Sequence, residues 1–185
     1  KFFQQFGSTH LTLFAFSREN ANRSALDREA VLYIFNKKIV ELHTEMQKGN
    51  SGCHVQFIGD LSILDTYYQQ LANEIMDGTR EKHSFVLTIA FNYSGQVDIL
   101  EAANAASGQT ELDEPSFKQC LATKNLPNVD LVIRTGGEQR LSNFLMWETA
   151  YSELCFTQTL FPDLNWFEVT EICSDFSQRT RNFGM

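Results

Sequence analysis

Positive charge is scarce in this sequence. Its 185 residues carry 15 Lys and Arg against 23 Asp and Glu, a formal net charge of −8. A nucleic-acid surface needs Lys and Arg in excess on one face, so that class of partner is excluded. Any anionic ligand must be held locally, by a few aimed Arg side chains, backbone N–H groups or a metal ion. No apolar run reaches membrane-spanning length, and no signal peptide is recognisable. The four cysteines, Cys53, Cys120, Cys155 and Cys173, lie far apart with no CxxC pair. Such scatter fits a reducing cytosol better than a disulfide framework. GxxxxGKS/T and GxGxxG are both missing, which removes the nucleotide P-loop and the dinucleotide fingerprint. GxSxG and HExxH are missing too. His10, His43, His54 and His83 have no partner at metal-ligand spacing, and His54 sits inside an apolar run as a core residue would. There is no internal repeat, low-complexity tract or linker. One domain over residues 1–185 is expected. The chain opens on Lys1, and its first few residues read as the end of a helix, so it is expected to begin inside a larger protein.

What the chain does have is phenylalanine, 16 in all. These build either a Phe-rich core or the wall of an apolar cavity. Four apolar runs have strand character: Leu11–Phe16, His54–Ile58, Phe85–Phe91 and Leu131–Ile133, with a shorter fifth at Glu153–Thr157. They are nearly continuous rather than alternating, as in strands buried on both faces of a parallel sheet. Between them, Val31, Ile34, Phe35, Ile39, Leu42 and Met46 recur at helical spacing within Asp27–Met46. Ser62–Met76, opened by a cap at Asp60 or Ser62, is a second helix. Asp98–Ala106, Glu114–Thr123 and Asn165–Arg181 complete the set. Alternating strands and helices predict an α/β fold with a central, mostly parallel sheet flanked by helices.

In such a sheet the carboxyl ends of the strands share one edge, where ligands bind. The polar tips there are Ser17–Arg23, Gly59-Asp60, Asn92–Gly95 and Arg134–Asn143. The last is the richest. Gly136-Gly137 permits a sharp turn whose N–H groups can converge on an anion. Ser142 can cap a helical-looking Asn143–Glu148, and Arg134 and Arg140 can grip phosphate oxygens. The stretch is either a phosphate or diphosphate cradle or a tight turn with two solvated Arg. Glu153 is either a solvated strand start or, beside a diphosphate, a natural Mg²⁺ ligand. Asn20 and Arg23 are a donor and a cation for a second anionic group, or a cap and a surface charge.

Asp130–Phe156, DLVIRTGGEQRLSNFLMWETAYSELCF, resembles the signature of the cis-prenyltransferases, the undecaprenyl diphosphate synthase family. LTLFAFSRENANR at Leu11–Arg23 is similar to that family's LTLYAFSxENWxR. IGD at Ile58–Asp60 and IAFNYSGQVD at Ile89–Asp98 match further motifs, so the resemblance runs the length of the chain. It implies a homodimer with a hydrophobic tunnel under the carboxyl edge. An allylic diphosphate such as farnesyl diphosphate fills one subsite and isopentenyl diphosphate the other. It implies that Arg134, Gly136, Gly137, Arg140 and Ser142 bind isopentenyl diphosphate and that Glu153 binds Mg²⁺. Asn20 and Arg23 would act catalytically at the reacting centre, where a proton leaves isopentenyl C2. Phe14, Phe16, Phe35, Phe57 and Phe91 become candidates for the tunnel wall. The implied product is a polyprenyl diphosphate, the undecaprenyl lipid carrier of cell-wall synthesis. That makes the implied location cytoplasmic, with peripheral contact at the membrane.

The sequence departs from the family at its hallmark HxMDGNGRWA loop, which supplies an Asp for Mg²⁺ and holds the allylic diphosphate; Asp77–Arg80 has the wrong surroundings to stand in. Ala21 replaces the usual Trp, Ser94 and Gln96 replace Gly and Arg, and Asn182 replaces a terminal Arg. Two readings remain open. One is an enzyme whose loop lies upstream of Lys1, the present chain alone being inactive. The other is a non-catalytic member that partners or regulates a synthase. The intact RTGGEQRLSN and Glu153 favour the enzyme.

Overall fold

The computed structural model describes residues 3–22, 24–81, 84–108 and 111–181. These fall into two compact units, divided between Asn125 and Leu126.

The first unit is built on three parallel strands, β1 (His10–Ser17), β2 (His54–Gly59) and β3 (Val86–Tyr93), in the order β1-β3-β2. Both outer strands start level with the central one, His10 and His54 each opposite Val86. Their carboxyl ends lie on the same edge, Gly59 opposite Phe91 and Ser17, past register shifts in β1, opposite Tyr93. Parallel strands need long crossovers. Helices α1 (Ala25–Gln47) and α2 (Thr66–Thr79) supply them, and α3 (Gly95–Ala105) and α4 (Glu114–Lys118) come after β3. The last six residues of β3 are buried, which is why its sequence is nearly continuously apolar, with Thr88 and Asn92 as buried polar exceptions.

The core of this unit joins Phe16, Phe35, Ile39, Val55, Leu71, Ile75, Ile89 and Phe91. The Phe91 ring stacks on Phe35, with centroids 3.8 Å apart, and on Phe16 at 5.4 Å. These three phenylalanines pack on one another, as the core reading of the Phe excess requires.

The second unit pairs β4 (Leu131–Arg134) with β5 (Glu153–Phe156), again in parallel, and ends in α5 (Trp166–Gln178). Among the described residues the strands pair in parallel throughout, in a three-stranded sheet in the first unit and a two-stranded one in the second. The α/β class with parallel pairing flanked by helices stands.

Several helix predictions need correction: the helix predicted over Glu114–Thr123 ends at Lys118, and the one predicted from Asp98 begins at Gly95. The helix after β2 starts at Thr66, because Asp60 caps only the 3-10 turn Leu61–Ile63, accepting from Ser62 N at 2.9 Å. Leu64 and Asp65 are then extended before the helix begins. The stripe of α1 omits Ile34, which is 58% exposed. Asn143–Glu148 does not form a helix: Ser142, Asn143 and Leu145 have φ of 50°, 64° and 45°, incompatible with a right-handed turn. Ser142 is therefore not a helix cap. Among the described residues, no helix is long and apolar enough to cross a membrane.

Candidate functional site

The loop that leaves β4 is organised by Arg134. Its Nη1 donates to the Arg140 carbonyl at 2.6 Å and to Ser142 Oγ at 2.8 Å, tying both ends of a nine-residue loop to one guanidinium. Ser142 Oγ accepts that bond, so its own proton stays free to donate. Arg140 projects from the loop and pairs with Glu138, both largely exposed. Exposed pairs of this kind are weak, so an incoming anion can take Arg140 from Glu138 at little cost.

Gly136 and Gly137 have φ of 86° and 81°, a conformation that favours glycine. Their N–H groups do not converge on an open anion site. Gly136 N donates to the Thr159 carbonyl at 2.9 Å and Gly137 N to the Thr157 carbonyl at 2.8 Å. These bonds stitch the loop to the segment leaving β5. The two glycines thus shape the loop, and Arg134, Arg140 and Ser142 are side-chain donors it presents to an anion.

Glu153 is not brought to this loop. It opens β5 opposite Leu131, whereas Arg134 ends β4 opposite Phe156. Three residues of strand separate the two levels, about 10 Å. The Glu153 carboxylate, about one-third exposed, accepts instead from Arg179 Nη1 at 2.7 Å. Arg179 also donates through Nε and Nη2 to Asp175 at 3.0 and 2.6 Å. The Glu153 bond, then Asp175, push the Arg179 pKa above its ordinary value. Sequence reasoning missed Arg179. Its only prior signal was the i, i+4 acid–base spacing with Asp175 at a helix end.

In the first unit, Asn20 lies in the 3-10 turn Arg18–Asn22 just after β1. Both its backbone N and its Nδ2 donate to Ser17 Oγ, at 3.2 and 2.8 Å. Arg23 lies outside the described residues. The tips of β2 and β3 border a cavity of about 280 Å³ lined by Arg18, Gly59, Asp60, Asn92, Ser94 and Asp98 among others. Asp98 is buried and satisfied, accepting from Tyr93 OH at 3.0 Å and Ala122 N at 2.7 Å. The hydrogen bonds from Ser62 hold the Asp60 carboxyl below its usual range.

Among the described residues no three His, Cys, Asp or Glu side chains converge as a metal cage. Glu153 offers a single hard oxygen donor set. That suits an ion such as Mg²⁺, which takes one or two protein carboxylates and completes its shell with phosphate oxygens and water.

Comparison with known proteins covers the same ground. The family model described as "Putative undecaprenyl diphosphate synthase" matches residues 1–184. A (2E,6E)-farnesyl-diphosphate-specific ditrans,polycis-undecaprenyl-diphosphate synthase of Haemophilus influenzae is 37% identical over 98% of this chain and 78% of its own length. The crystal structure of a probable undecaprenyl diphosphate synthase from Campylobacter jejuni superposes with a TM-score of 0.87 at 30% identity, over 99% of this chain and 88% of that one. Lavandulyl diphosphate synthase from Lavandula x intermedia, solved with dimethylallyl diphosphate, superposes with a TM-score of 0.89, also at 30% identity, covering 98% and 81%.

Proposed function

This chain belongs to the undecaprenyl diphosphate synthase family of cis-prenyltransferases, and from that we propose that it condenses isopentenyl diphosphate with an allylic diphosphate such as farnesyl diphosphate in a Mg²⁺-dependent reaction. The observation that carries the reading is the Arg134 loop: two Arg side chains and a free hydroxyl proton within nine residues at the carboxyl end of a parallel strand. A diphosphate there accepts from Arg140, Ser142 and the unused N–H groups of Arg134. Fixed cations aimed at a diphosphate are the right tool for holding an anion on a molecule of net negative charge.

The remaining roles are part of the same proposal. Asn20 and Arg23 act at the reacting centre, where the proton is removed from isopentenyl C2. Glu153 would hold Mg²⁺, which when bound would supply charge neutralisation for a departing diphosphate. Because Glu153 lies about 10 Å along the strands from its own loop, we assign it to the site of a second copy in a homodimer. Phe14 and Phe57, neither fully buried, are the tunnel-wall candidates outside the packed trio. The product proposed is a polyprenyl diphosphate of the undecaprenyl class, made at the cytoplasmic side of the membrane that receives it. Lavandulyl diphosphate synthase has the same fold at the same identity, so product length is assigned here on the family description.

Arg140→Ala tests the reading. It is expected to raise the KM for isopentenyl diphosphate by one to two orders of magnitude, since a charge-assisted hydrogen bond contributes about 1.5–3 kcal/mol. The KM for the allylic diphosphate should change little. Steady-state titration of each substrate checks this, and an unchanged isopentenyl KM would remove the loop from the substrate site.

A further inference from the structure

Glu153 and Arg179 meet at the end of β5 remote from the Arg134 loop. Two features of that meeting stand out. First, Glu153 accepts from Arg179 and, among the described residues, from no other side chain. Second, Arg179 is held from two sides. One Nη donates to Glu153, while Nε and the other Nη donate to Asp175, on the last turn of α5. Losing Glu153 would therefore leave Arg179 with two of its three charge-assisted bonds. The cation also sits just past the carboxyl end of α5, where the helix dipole favours positive charge. Asp175 is the more exposed of the two acids, and Glu153 and Arg179 are each about one-third exposed, so water can reach the seat that Arg179 gives up.

We propose that Arg179 is a built-in competitor for the Glu153 carboxylate, holding it in the metal-free protein and withdrawing onto Asp175 when a divalent cation binds. This rests on the reading of Glu153 as a metal ligand. A guanidinium stays protonated at every physiological pH, and its neighbours here strengthen that. An ion bound to either oxygen of Glu153 would stand within roughly 5 Å of that fixed positive charge, a repulsion of about tenfold in affinity even at the dielectric of water. With the direct bond also to be broken, the resting pair discriminates against casual metal binding. A bare ion therefore binds only weakly, and one arriving with substrate phosphate brings negative charge that offsets the repulsion.

The test uses the whole chain and Mn²⁺ alone as the probe, with free Mn²⁺ read by electron paramagnetic resonance. Arg179→Gln should bind Mn²⁺ about five- to tenfold more tightly than the parent. Arg179→Lys, which keeps the charge and loses the fork, should fall between. Asp175→Asn removes the withdrawal seat and should weaken Mn²⁺ binding a few-fold. Glu153→Gln should lose saturable binding. If Glu153→Gln loses the ion while Arg179→Gln binds it no better than the parent, the competition is overturned and the ligand assignment survives. If Glu153→Gln binds as the parent does, both fall. Should Arg179→Gln fail to fold, the Lys and Asp175→Asn arms decide: unchanged affinity in both overturns the proposal.

Discussion

Gly59 closes β2 at φ +94°, and a Cβ built there would stand 2.2 Å from the Phe91 carbonyl oxygen. The atom it would meet is backbone of the central strand, which cannot step aside. Gly49 also has a left-handed φ, +73°, but opens onto empty space. Comparing the two separates conformational strain from collision. Gly49→Ala is expected to cost about 1 kcal/mol. Gly59→Ala should cost about 3 kcal/mol or more, with strain and displaced backbone added. Urea unfolding of both variants measures the difference. The IGD triplet marked a strand tip in the sequence, yet the reason for its glycine lies on Phe91, 32 residues away and visible only once the strands pair. The same holds for Gly136 and Gly137. Their residue type announced a turn, while the destinations of their amides, Thr159 and Thr157, depended on a strand some twenty residues downstream.

At the scale of elements, β1 to β5 were legible because continuous apolar runs bounded by polar tips have few other uses. Helix starts were less so. Ser94 shows why: it lies extended at φ −148°, caps α3 by accepting from Val97 N at 3.4 Å, and starts the helix three residues before its first acidic residue, Asp98. Ser94→Ala should lower stability by about 1 kcal/mol, the usual cost of losing a cap, while Ser94→Gly, the residue common in the family, should cost only a few tenths. Thermal unfolding of the pair checks the order. Asn143–Glu148 failed as a helix for the opposite reason. Its composition permits one, but three left-handed residues are imposed by the loop that Arg134 gathers, and a tertiary hydrogen bond outweighs local propensity.

For the whole molecule, the family, the parallel α/β class and the cluster of Arg134, Arg140 and Ser142 could be read from the sequence alone. The separation of Glu153 from that cluster could not. Eighteen residues lie between Arg134 and Glu153 along the chain, and only the parallel register puts them at opposite ends of adjacent strands. If Glu153 serves the neighbouring copy, mixed dimers have a specific signature. Arg140→Ala and Glu153→Gln chains, each strongly impaired alone when isopentenyl diphosphate is well below saturation, combine into a dimer with one site carrying both defects and one carrying neither. Co-expressing them with different affinity tags and purifying the heterodimer should restore about half of the parental activity per dimer, an estimate that assumes independent sites. Glu153 working with the loop of its own chain would leave both sites defective and restore nothing.

The Arg134 loop has a further consequence for timing. One cation is already folded into the scaffold, bonded to the Arg140 carbonyl and Ser142, and the glycine amides are already committed to the strand beside it. On the proposed reading, a visiting anion meets a receptor that has settled its own shape and surrenders little freedom on occupation. Variation in how well such a seat is filled would be felt at departure rather than arrival, in how long a diphosphate stays.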